Sequence, residues 1–188
     1  HTIYLSPCGK TFQQSDAIRL SKLDNIIMVC GHYEGIDQRF IDECVDEEMA
    51  CGILPFKSGA PAIFAEMKKR GIKIALVTSS GQKTVAQYLQ MSGLEGVFDV
   101  VLTGESVTHG KPNPEVFLIA AQRLGVAPAH CVVVEDSPNG VRAGHAAKMF
   151  TVMVPDLHPC TEELRTLLWH VCDTLTDLIP LINEANNN

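Results

Sequence analysis

None of the seven cysteines (Cys8, Cys30, Cys44, Cys51, Cys131, Cys160, Cys172) stands in a C-x-x-C pair, and their number is odd. That spacing suggests neither a zinc knuckle nor a disulfide framework, and it fits a reducing compartment in which most of them serve as small apolar side chains. Blocks of Lys or Arg are missing too: 15 basic residues face 22 acidic ones, for a net charge of −7. Such a chain has no electrostatic footprint for nucleic acid or for an anionic membrane, so neither is expected as a partner. No apolar run is long enough to cross a bilayer, and the first residues lack the basic-then-apolar layout of a signal peptide. The expected location is cytoplasmic. The chain opens on His1 rather than Met, which reads as a fragment.

What is present is an apolar content of 46% over 188 residues, enough for one closed core or two small ones. The organising stretch is 132–140, VVVEDSPNG: a β-branched run ending in two adjacent carboxylates and then turning into a helix. It predicts a buried parallel strand with Glu135 and Asp136 at its carboxyl end, where the loops of an open α/β sheet part and ligands bind. The plainer alternative is that Asp136 caps the helix, although Ser137 followed by Pro138 already makes a good cap and first position.

Before this stretch, residues 2–6 (TIYLS) and 25–30 (NIIMVC) read as strands, 15–23 as a helix, and 38–49 as a helix whose acids at 46–48 form a solvated face. An amphipathic helix is predicted over 60–70 and a strand over 72–77. The strand runs into Thr78, Ser79, Ser80 and Gly81, ahead of a helix over 82–91. Hydroxyls and free backbone N–H groups at a helix start suit an anion, and they equally suit a plain cap. A strand follows at 99–102. In the loop 108–115 (THGKPNPE) Lys111 lies between Gly110 and Pro112, so its ammonium can meet a phosphate with less entropy to lose. A helix from Pro114 to Leu124, strand 131–135, helix 140–149, strand 150–154 and helices over 162–169 and 175–182 complete the alternation. The fold class is α/β: a three-layer sandwich with a mainly parallel, Rossmann-like sheet.

Two resemblances attach to these motifs. YLSPCG, IIMVCGHYEGIDQR and VDEE, within residues 1–50, resemble the bacterial tRNA guanine N1-methyltransferase of the knotted SPOUT class. That likeness implies cofactor-wall positions at Leu5, Ser6, Pro7, Gly31, Tyr33, Glu34 and Gly35. After VDEE the sequence reads MACGILPFKSG in place of the family's glycine-rich knot segment, so S-adenosylmethionine is not expected as a cofactor. VTSS, HGKPNPE and VVVEDSPNGVRAG, over residues 51–185, resemble the haloacid dehalogenase superfamily in its β-phosphoglucomutase-like branch. By that likeness Thr78 and Ser79 bind a phosphoryl group, Lys111 neutralises it, and Glu135 and Asp136 hold Mg²⁺. The partner implied is a small phosphorylated metabolite. Thr78 and Lys111 are then the catalytic residues, without a nucleophile, because no two Asp residues in this sequence lie two apart and the family's D-x-D pair is missing.

The chain thus reads as a methyltransferase-like fragment of two βα units (1–50) joined to a haloacid dehalogenase-like core (51–188) without its first strand and cap, merged into one domain. We expect residues 25–30 to fill the slot between strands 72–77 and 131–135. Three functions stay open at this point: a phosphatase or phosphotransferase core lacking its nucleophile, a recombined chimera that at most binds phosphate or Mg²⁺, and a methyltransferase remnant.

Overall fold

The structure is a computed structural model that describes residues 1–30, 38–50 and 56–185. Its first elements are β1 (Thr2–Thr11), α1 (Gln14–Leu20), β2 (Ile27–Cys30), α2 (Gln38–Cys44), β3 (Glu47–Ala50), α3 (Ala60–Lys69), β4 (Ala75–Val77) and α4 (Gln82–Ser92). They continue with β5 (Val100–Leu102), α5 (Glu115–Leu124), β6 (Val132–Glu135), α6 (Pro138–Ala146), β7 (Phe150–Met153), α7 (Glu162–Arg165), β8 (His170–Val171) and α8 (Leu178–Ala185). The chain divides into two compact units, His1–Pro55 with Ser80–Glu95, and Phe56–Ser79 with Gly96–Asn188. Every strand pair is parallel, so the fold is α/β with parallel sheets.

In the first unit the strand order is β2-β1-β3. β1 keeps register with β3 from Ile3 to Leu5, slips across the SPCG stretch, and resumes at Lys10 opposite Met49. Ile3, Leu20 and Met49 form a small core. Buried Asp16 is held below the usual carboxylate range, first by the Lys10 ammonium at 2.8 Å and then by the Gln13 amide at 3.0 Å.

Two expectations fail in this unit. The helix predicted over 38–49 stops at Cys44; Asp46 leads into a strand, and Glu47 and Glu48 lie in it. Each acid has a partner there: Asp46 accepts from the Thr2 amide at 2.7 Å, Glu47 from the Arg19 guanidinium at 2.6 and 2.7 Å, and Glu48 from the Ser6 hydroxyl. Those partners and the burial of Met49 outweigh the helical pattern, which was set by acids rather than apolar residues. Nor does segment 25–30 enter the slot beside β4 or β6. β2 pairs with β1, from Thr2 opposite Ile27 to Leu5 opposite Cys30. The two strands are joined through a single helix, so this local βαβ pairing closes a short loop. Ile27 and Met28 remain 60% and 67% exposed.

In the second unit β4 pairs with β5, and β6, β7 and β8 form a second sheet in that order. Alternation along β7 defines its layers. Thr151 and Met153 point toward α6, whose Gly144 and Val141 they approach, while Val152 and Val154 join a cluster with Ile63, Met67 and Leu178 from α3 and α8. A third cluster joins Leu102 and Val133 to Val116, Phe117 and Ala120 of α5. Among the described residues β4 and β6 each pair on one side only. Consequently β6, expected to be buried on both faces, buries Val133 but leaves Val132 and Val134 36% and 39% exposed.

Residues 162–169 do not form one helix. α7 ends at Arg165, and the sheet then captures the chain as the Trp169 and Cys172 amides donate to the Thr151 and Met153 carbonyls of β7 at 2.8 and 2.9 Å. At 175–182 a 3-10 turn, Leu175–Asp177, precedes α8.

Candidate functional site

The carboxyl ends of β4, β5 and β6 gather the chemistry-bearing side chains of the second unit. Beyond the end of β4, the Thr78 amide donates to the Leu102 carbonyl at 3.0 Å, which ties the strand's exit to β5. After β5 the chain turns at Gly104–Ser106, fixed by Thr103, whose hydroxyl donates to Glu105 at 2.7 Å and whose amide donates to the Ser106 hydroxyl at 3.0 Å. A pocket of about 240 Å³ opens beside these turns. Thr78, Ser79 and Lys111 supply its polar groups, Gly104 and Gly110 its bare backbone, and Val107 and Val116 its apolar wall. The N-cap of α4 is Gly81, in extended backbone, so the residue at the cap position itself is not one of the hydroxyl residues before it.

Lys111 reaches the pocket from its loop with 13% of its side chain exposed. Its ammonium pairs with the Glu135 carboxylate, lies 3.4 Å from the Val77 carbonyl and stands 5.3 Å from the centre of the Phe117 ring. The second Glu135 oxygen accepts from the Ser137 hydroxyl at 3.0 Å. Gly140 is glycine for a visible reason: a Cβ there would occupy the space of the Glu135 carboxylate. Ser137 also accepts from the Gly140 amide at 3.1 Å and is the N-cap of α6, so Asp136 is not the cap. The half-buried Asp136 carboxylate makes no hydrogen bond or ion pair among the described residues.

Of the residues singled out in the sequence, Thr78, Ser79 and Lys111 share one pocket, Glu135 pairs with Lys111, and Asp136 follows Glu135 in the chain. Leu5, Ser6 and Pro7 lie in β1 of the first unit, with Leu5 exposed and Ser6 buried against Glu48. Gly31, Tyr33, Glu34 and Gly35 lie outside the described residues. Gly104, Val107 and Val116 were missed. The first of these follows a strand's carboxyl end and could have been found by that rule, whereas the apolar walls carry no local signal.

The donors present suit Mg²⁺, a hard cation usually held by one or two carboxylates with water and substrate phosphate completing its shell. Among the described residues no group of three or more His, Cys, Asp or Glu is arranged around a metal position. Asp136 fits the role of oxygen donor as it stands. Glu135, with one oxygen on Lys111 and the other on Ser137, reaches a cation only by giving up one of them.

Hexitol phosphatase A of Escherichia coli is 42% identical over 96 residues, covering 51% of this chain and 44% of that protein. The chain therefore spans less than half the length of such curated relatives. CbbY from Rhodobacter sphaeroides, solved in complex with phosphate, superposes with a TM-score of 0.60 at 28% identity, covering 65% of this chain and 56% of that one. The β-phosphoglucomutase of Clostridium difficile superposes at 0.59 with 30% identity, covering 70% and 56%. The family model for haloacid dehalogenase-like hydrolases matches residues 12–148, which takes in the pocket, the Lys111 loop and the Glu135–Asp136 strand end. With nearly three quarters of its length inside that match, the chain belongs to the haloacid dehalogenase-like hydrolases.

Proposed function

We propose that the second unit is the phosphate-binding core of a phosphatase or phosphotransferase acting on small phosphate esters, the class to which the hexitol phosphatase similarity points. One observation carries the reading: two hydroxyl residues, Thr78 and Ser79, and the largely buried Lys111 line a single pocket at the strand ends. Phosphoryl transfer asks mainly for charge stabilisation and positioning around the equatorial oxygens. Thr78 and Ser79 donate hydrogen bonds to the phosphoryl oxygens, and Lys111 exchanges part of its pairing with Glu135 for the incoming anion. Asp136 would hold Mg²⁺, with Glu135 as a second acid once it gives up Lys111 or Ser137, and the ion would supply positive charge to the phosphoryl group. These 188 residues contain no D-x-D pair to accept the phosphoryl group covalently, so we assign them binding and charge neutralisation rather than nucleophilic attack. Calorimetric titration with inorganic phosphate and Mg²⁺ tests this. Binding that weakens in Lys111→Met and in Asp136→Asn supports the reading, and no binding by the parent protein overturns it. Hydrolysis of para-nitrophenyl phosphate by the parent but not by Asp136→Asn would overturn only the assignment of binding without attack.

The resemblance of residues 1–50 to the methyltransferase supports a second reading, a remnant of a cofactor-binding surface in a recombined chain, carried by the SPCG and GHYEGID motifs. Protection of the first unit from heat by S-adenosylmethionine would favour it, because a ligand that binds only the folded state raises its stability.

A further inference from the structure

Among the described residues Lys111 alone brings an ammonium to the pocket lining, and one carboxylate outside that lining closes its loop. Glu115, the first residue of α5, accepts from the Thr108 amide through Oε1 at 2.8 Å and from the His109 amide through Oε2 at 3.0 Å. The His109 ring adds its Nδ1 at 2.9 Å from the same Oε2. The base of the loop is closed as well. The Glu115 amide donates to the Asn113 side chain at 2.9 Å, and the Asn113 amide donates to the Gly110 carbonyl at 3.0 Å. Lys111 lies within this ring, held at its ends, and its ammonium meets Glu135, the Val77 carbonyl and the Phe117 ring.

We infer that Glu115 is the positioning residue for Lys111: its carboxylate clasps the two ends of the 108–115 loop and so fixes where the ammonium enters the pocket. The inference rests on the reading of the pocket as a phosphate site, but its own test does not. The two backbone N–H groups each take a separate oxygen of Glu115, an arrangement that among side chains only a carboxylate offers. An amide in the same place turns an NH₂ group toward one of the two donors and opens the loop. Asp keeps both oxygens on a stem shorter by one methylene.

The test is trace acetylation of the folded protein followed by mass spectrometry, with Lys73, bound to the Leu124 carbonyl at 2.6 Å, as internal reference. Glu115→Gln is expected to raise Lys111 labelling severalfold with Lys73 unchanged, and Glu115→Asp to fall between Gln and the parent. Inorganic-phosphate affinity should drop about tenfold in Glu115→Gln, the equivalent of one charge-assisted hydrogen bond. In a Lys111→Met background the same change should have no further effect on phosphate affinity. Unchanged Lys111 labelling in both Glu115 variants overturns the clasp. Raised labelling in a protein whose parent form binds no phosphate leaves the clasp standing and removes the phosphate reading. If Glu115→Gln fails to fold by circular dichroism, Glu115→Asp alone decides, and parental labelling there overturns the inference.

Discussion

Lys111 carries a full positive charge into a site where only 13% of its side chain meets solvent, and Glu135 is the acid that answers it. Removing one member of so buried a pair leaves the other charge uncompensated, at a cost of about 3 kcal/mol. Glu135→Ala should therefore lower the urea midpoint by that equivalent. Gly140→Ala, whose Cβ displaces the same carboxylate, should reproduce much of the loss. A Gly140→Ala midpoint equal to the parent's would mean that the Glu135 position does not depend on that space. Glu115 makes a prediction in pH. The Thr108 amide, followed by the His109 ring and amide, holds its carboxyl below the usual range. A carboxyl whose folded-state pKa is depressed contributes fully at neutral pH, and the contribution disappears as the pH falls through the folded value. The gap in urea midpoint between the parent and Glu115→Gln should thus be present at neutral pH and close in acid. A gap that persists in acid would assign the effect to shape rather than charge.

At the scale of elements, α6 joins the strand-end acids to the rest of the unit. Its N-cap, Ser137, accepts from the Gly140 amide and donates to Glu135, so one hydroxyl both starts the helix and steadies the site. Loss of such a cap costs about 1 kcal/mol, and Ser137→Ala should show at least that by urea unfolding. No destabilisation would mean that Pro138 and the helix's packing suffice to start it. Elements with a strong local signature were legible within a residue or three: α3, α4, α5, β6 and β7 all stand close to where pattern and turn chemistry place them. The segments at 38–49 and 162–169 were not. In both, a backbone ladder with a strand distant in sequence outcompetes helical spacing, and no local pattern announces that partner.

At the scale of the whole molecule, the two units differ in what they bury. The first has a core of Ile3, Leu20 and Met49 and leaves Ile18, Ile27 and Met28 more than half exposed. The second buries Leu102, Val141, Val152 and Met153 completely, in three apolar clusters. Regions with few buried apolar contacts open at lower free energy. Native-state hydrogen exchange should accordingly protect the amides of β6 and β7 well beyond those of β1 and β2, and equal protection would refute a separate, weaker first core.

The sequence by itself determined the α/β class, the pocket's hydroxyls and lysine, and the acid pair at the end of a strand. Each of these is written in a short window whose turn residues and apolar run act within a few positions of one another. Only the tertiary structure decided that β2 lies beside β1, that acids 46–48 lead into and form a strand, and that Glu135 serves as the counter-charge of Lys111. It alone decided, too, that Glu115 closes the lysine's loop. Those outcomes depend on which distant backbone edge or side chain satisfies a hydrogen bond or a buried charge, a competition settled in space and invisible to local periodicity.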